Sequence, residues 1–142
     1  MGKKLYILII LILNVCTNQT ESTKGFTYEQ RSIKAEKVAS FLAAKQPIIL
    51  DVRSESEYST DHLDNAINIP FVDDSFELKV SNLDKNKTYL VHCAAGVVNG
   101  RSFNATRLMD SLGFEKVYNL EGGLTAWKKY KMTDEHWLIL KQ

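Results

Sequence analysis

Cys93 follows the apolar stretch Thr88-Tyr89-Leu90-Val91-His92 and precedes a run of mostly small residues, Ala94-Ala95-Gly96-Val97-Val98-Asn99-Gly100, before a helical pattern opens at Arg101-Ser102. A strand feeding such a loop and then a helix puts a thiol at the carboxyl end of the strand. The thiol faces loop amides that can converge on an anion, with the positive end of a helix behind them. Surroundings of this kind lower a cysteine's pKa and keep thiolate available. They suit covalent chemistry on an anionic or electrophilic substrate, with Cys93 as the nucleophile. Gly96, Asn99 and Gly100 can take positive φ and should make the turns. Val97 and Val98 cannot do so cheaply and should project, either over the pocket, shielding the sulfur, or outward as a contact surface. Arg101 is the cation adjoining the loop. It either orients substrate or forms an ion pair that fixes the helix start; arginine there opposes the helix dipole and calls for a specific partner.

The surrounding elements must place this thiol. Residues 26–31 read as a short edge strand, and Ser32 as the N-cap of a helix over 33–44, with Val38, Phe41 and Leu42 at helical spacing. Ile48-Ile49-Leu50 reads as a buried strand ending at Asp51. Residues 54–60 read as a short helix, 66–70 as a short strand closed by Pro70, and 76–83 as a helix capped by Asp73-Asp74-Ser75. Residues 88–92 form a second buried strand. Ala105, Leu108, Met109 and Leu112 mark the next helix, which Gly113 terminates. A strand over 117–119 and a helix from Gly122-Gly123 to Tyr130 complete the body. Strands alternating with helices predict an α/β fold with a mainly parallel central sheet and helices on both faces. In such folds ligands sit beyond the carboxyl ends of the strands, where Cys93 lies.

Other polar residues carry structural readings. Arg53 is expected to pair with Glu57, and Asp51 to accept hydrogen bonds from the neighbouring loop. His92 should point to the face opposite Cys93, which argues against a Cys–His dyad. No metal-ligand spacing is visible, so no metal is expected. Trp127 and the Gly122-Gly123 turn read as packing and backbone geometry.

The 142 residues suit one domain, with 44% hydrophobic and 25% charged residues and a formal charge of +1. No basic patch stands out, so nucleic acid is not an expected partner. Lys3-Lys4, the apolar run Leu5–Leu13 and then Cys16 have the anatomy of an export signal. Leu13-Asn14-Val15-Cys16 resembles a bacterial lipobox, with Val15 in place of the usual small residue. The expected organisation is a signal peptide over 1–15, lipidation at Cys16, a polar tether over 16–27, a folded domain over 28–131 and an extension over 132–142. The expected location is the periplasm or cell envelope, with the membrane reached through the N-terminal anchor. Trp137 in the extension should pack on the body. With Cys16 lipidated or removed, Cys93 has no intrachain partner and stands out as a reactive thiol.

Four segments in order resemble the rhodanese-like sulfurtransferase family: Leu50-Asp51-Val52-Arg53 with Glu57-Tyr58; Tyr58 to Leu63 followed by Ala66-Ile67-Asn68-Ile69-Pro70; Val91-His92-Cys93 with Gly100-Arg101-Ser102; and Val117 to Gly123 with Ala126-Trp127. The resemblance implies a three-layer rhodanese-like fold and sulfane-sulfur transfer through a Cys93 persulfide, without metal or organic cofactor. It implies a substrate-binding set of Ala94, Ala95, Gly96, Val97, Val98, Asn99, Gly100 and Arg101, with Asp51 and Arg53 as site support. The partners it implies are a small sulfur donor (thiosulfate or a persulfide), a thiol or cyanide acceptor, and a possible protein donor or acceptor. The chain departs from the pattern at Asp64-Asn65, where the family carries Pro and Gly. It departs again in the seven residues between Cys93 and Arg101, where single-domain members usually place four; Val97-Val98-Asn99 reads as an insertion. A sulfur-carrier or docking module that does not turn over, and a cysteine phosphatase or arsenate reductase on the same fold, are the competing functions.

Overall fold

The computed structural model describes residues 26–133. The expected signal, the Cys16 lipidation site and Trp137 lie outside the described residues.

The sheet is built from five strands: β1 (Ser32–Lys34), β2 (Ile48–Asp51), β3 (Ile67–Asn68), β4 (Tyr89–His92) and β5 (Val117–Glu121). Their spatial order is β1-β5-β4-β2-β3, and every pair is parallel. The helices are α1 (Tyr28–Arg31), α2 (Ala35–Lys45), α3 (Glu55–Thr60), α4 (Phe76–Ser81), α5 (Arg101–Ser111) and α6 (Gly123–Thr133). The expected α/β class therefore holds, with the sheet wholly parallel. No helix among the described residues is long and apolar enough to cross a membrane.

The central strands alternate between two apolar layers, as period-2 geometry requires. Leu50, Val91 and Val117 face Phe76 and Val80 of α4 and Ala105 and Met109 of α5. Ile49, Leu90 and Leu120 face Val38 of α2 and Leu124 and Trp127 of α6. Cys93 continues the first layer. Fully burying each of the Val, Leu, Ile, Phe and Met side chains among these contributes roughly 1.5–3 kcal/mol.

Two expectations at the amino end are corrected. Residues 28–31 form a helical turn instead of a strand, because Thr27 caps it by accepting from the Gln30 amide. The edge strand is the next segment: Ser32, Ile33 and Lys34 pair with Asn119, Leu120 and Glu121. Ser32 is thus not an N-cap; the helix starts at Ala35 with Lys34 at the capping position and no side-chain bond. Pairing with β5 decided what the local pattern alone could not. Ser54 does cap α3, in a reciprocal capping box with Glu57. Asn65 takes a left-handed φ of 61° at the turn where the chain departs from the family pattern.

Candidate active site

Cys93 stands one residue beyond β4, between the starts of α5 and α6. The first amides of α6 hold it from below: Leu124 N–H donates to the Cys93 carbonyl at 2.9 Å, and Thr125 N–H to the Ala94 carbonyl at 3.1 Å. This close approach explains Gly123. A Cβ on Gly123 would lie 2.5 Å from both carbonyl oxygens.

The thiol is 4% exposed, so a reacting partner must bring its own atom into the cradle. Gly96 N–H donates to Sγ at 3.3 Å, and Ser102 Oγ lies 3.2 Å away. Burial pushes the thiol's pKa up, but hydrogen bonds from the Ser102 hydroxyl and the Ser102, Gly96 and Ala95 amides outweigh it. The net direction is down, towards thiolate at neutral pH. Ser102 also donates to Asn119 Oδ1 at 2.7 Å. In that arrangement the thiol donates to Ser102; once Cys93 ionises, the same hydroxyl can turn its proton to the sulfur.

The loop is shaped partly as the residue types predict. Gly96 and Asn99 take positive φ, at 54° and 60°. Gly100 does not: its φ is −75°, and it serves as the N-cap of α5. The inserted triplet forms a turn closed by Gly100 N–H to the Val97 carbonyl at 2.9 Å. Asn104 of α5 fastens it by donating to the Asn99 carbonyl at 2.9 Å. Val97 and Val98 are 55% and 54% exposed, which places them outward, away from the thiol. Ala94 is half-buried and Ala95 exposed.

Arg101 finds the partner its helix position calls for. Both its terminal nitrogens donate to Glu57 of α3, at 2.6 and 2.8 Å. The Arg101 hydrogen bonds hold the Glu57 carboxyl down at about 2, against the opposing effect of burial, with Ser54 assisting. The expected Arg53–Glu57 pair is accordingly corrected. Arg53 instead bonds Asp51 at 2.7 Å and also donates to the Asp61 carbonyl and carboxylate, tying β2 to the end of α3. Asp51 and Arg53 are both buried and act as scaffold beneath the site. His92 is buried on the far face of β4, with Nε2 3.5 Å from Asp51 Oδ2 and no hydrogen bond to either ring nitrogen.

Reading the sequence for a nucleophile and its loop missed Ser102, Asn119 and Tyr28 as site residues. Asn119 is fully buried in β5, and a polar side chain inside a buried strand is a signal that something nearby needs a partner. Tyr28, whose hydroxyl donates to the Gly96 carbonyl at 2.8 Å, carries no such signal.

Residues 34–130 match the family model described as the rhodanese-like domain. A tRNA uridine(34) hydroxylase of Buchnera aphidicola is 35% identical over 99 residues, covering 67% of this chain and 30% of that protein. The chain thus spans about 30% of the length of that curated relative. Rhodanese-like domain-containing protein 17 of Arabidopsis thaliana is 34% identical over 101 residues, covering 61% of this chain and 63% of that one. A crystal structure of a rhodanese-related protein from Thermoplasma volcanium superposes with a TM-score of 0.61 at 32% identity, covering 70% of this chain and 92% of the other.

Proposed function

The chain belongs to the rhodanese-like domain family, and on that footing we propose that it is a sulfurtransferase working through a persulfide on Cys93. The observation that carries the reading is the thiol itself: buried, yet drawn towards thiolate by the Ser102 hydroxyl and by the amides of Ala95, Gly96 and Ser102. In the first step the thiolate attacks the outer sulfur of the donor. The donor's S–S bond breaks, its remainder leaves as an anion, and Cys93 carries the sulfur. In the second step an acceptor thiolate or cyanide attacks that outer sulfur, and Cys93 leaves as thiolate. The amides that stabilise the thiolate serve it as nucleophile and again as leaving group. The hydroxylase relative shares only a domain-sized portion with this chain, and it is the cradle around Cys93 that supports sulfur transfer.

Donor preference follows from charge. Loop residues 94–100 carry no charged side chain, and the guanidinium of Arg101 is engaged by the Glu57 carboxylate. A persulfide donor therefore suits the site better than the thiosulfate dianion, and the paired Arg101 argues against the phosphatase reading. Export and attachment through Cys16 belong to the same proposal, supported by the Lys3-Lys4, Leu5–Leu13 and Cys16 pattern.

Intact-mass measurement with each donor tests the function. A gain of roughly 32 Da, mapped to the peptide bearing Cys93 and removed by cyanide, is expected, and at lower concentration of persulfide than of thiosulfate. Stoichiometric sulfur loading without turnover would favour the carrier reading, which the outward valines suit. No added mass on a folded, free thiol would sink both. Glu57→Gln tests the preference, since glutamine preserves the capping box while releasing Arg101. It should raise kcat/KM for thiosulfate by roughly tenfold and leave the persulfide donor within about twofold. An unchanged ratio between the two donors would show that charge at this pair does not set specificity.

A further inference from the structure

Gly96 is the hinge of the cradle. Its N–H donates to Cys93 Sγ, and its carbonyl accepts from the Tyr28 hydroxyl at 2.8 Å and from Asn119 Nδ2 at 3.3 Å. Glycine supplies little conformational preference of its own, so its φ of 54° has to be held from outside. Asn119 provides one hold from within the sheet. Tyr28 provides the shorter one, and it stands outside the 34–130 region that the family model matches.

The helical turn carrying Tyr28 is itself fastened to α5. The rings of Phe26 and Tyr28 lie 5.4 and 5.3 Å from that of Phe103. Arg31 donates to Asp110 at 2.7 Å and to the Glu115 carbonyl at 2.5 Å. The hydroxyl is therefore held at the loop by several independent contacts.

We infer that Tyr28 is a positioning residue for Cys93: its hydroxyl fixes Gly96 in the conformation whose amide meets the sulfur, which makes the segment before the family-matched region part of the site. The inference rests on Cys93 being the reacting thiol and does not depend on sulfur being what it transfers. Losing the hydroxyl leaves the Asn119 bond in place, so the effect is graded.

The test is the pH–rate profile of iodoacetamide alkylation of the full chain, with adduct quantified on the peptide carrying Cys93 so that Cys16 does not contribute. Tyr28→Phe keeps the ring on Phe103 and removes the donor alone. Alkylation at pH 7 should slow by about threefold to tenfold, the profile should move to higher pH, and the high-pH plateau should stay at the wild-type value. Tyr89→Phe is the matched control, because its hydroxyl donates to the Asp84 carbonyl at 2.9 Å; it should follow wild type. A Tyr28→Phe profile that superimposes on wild type, one slowed equally at every pH, or one matched by Tyr89→Phe would overturn the inference. Absence of persulfide formation alongside the expected shift would instead count against the sulfurtransferase reading and leave the positioning role standing.

Discussion

Alanine at position 96 is expected to cut sulfur transfer at least about 100-fold, the range seen when a preorganised donor is removed from a charge-stabilising site. A Cβ there would lie 2.0 Å from the Leu120 carbonyl oxygen, 2.6 Å from the Gly123 nitrogen and 3.0 Å from the Gly122 nitrogen. All three are backbone atoms. Leu120 sits in β5, paired to Ile33 of β1, so it cannot yield cheaply. The loop must move instead. That takes the 96 amide away from Sγ and the 96 carbonyl away from Tyr28 and Asn119. Positive φ adds about 1 kcal/mol for a side chain with a Cβ. Gly113→Ala separates the two costs: Gly113 has φ 92° with nothing within 4 Å of an added Cβ. It should lose about 1 kcal/mol of stability and no activity. Denaturant unfolding and the rate of persulfide formation on both variants check this. Near-wild-type transfer by Gly96→Ala would mean that the cradle does not stabilise the sulfur.

How much of this was legible in the residues divides along physical lines. The strand-to-loop junction at Cys93 was readable because a buried strand next to a helix start leaves few other places for a thiol. The buried strands and the helices on both faces of the sheet were readable, because short continuous apolar runs and 3.6-period patterns report burial directly. The amino end was misread, since residues 26–34 are too short to show a period, and their form is set by pairing with β5 and packing on Phe103. The Arg53–Glu57 pair was misread for a related reason. Arg53 and Glu57 are close in sequence, but α3 turns Glu57 towards Arg101, 44 residues away, and leaves Arg53 to Asp51 and Asp61. Local spacing cannot rank partners that only tertiary folding brings near. The positive-φ expectation held for Gly96 and Asn99 but failed for Gly100, because glycine permits positive φ without requiring it.

His92 should make the fold sensitive to mild acid, well before the carboxylates do. Its ring is fully buried with neither nitrogen hydrogen-bonded. Burial pushes its pKa down to about 4; Asp51 opposes the shift and Arg53 adds to it. The unfolded chain's histidine titrates near 6.5, so below that pH the unfolded state binds the additional proton. The contribution to stability is thus fully present above about 6.5 and is lost as pH falls towards 4. Over that window it amounts to on the order of 3 kcal/mol. Glu57, held down at about 2, loses its contribution in a separate and lower window, below its ordinary 4.5. Asp73 is also lowered, chiefly by Lys79, and acts lower still. Urea unfolding between pH 4.5 and 7 should therefore show stability rising with pH in the wild type and a nearly flat profile in His92→Leu. The comparison is of slopes, so any fixed cost of the substitution drops out. Equal slopes in the two proteins would mean that the buried ring titrates in the fold as it does in the unfolded chain, its burial offset by Asp51 or by water.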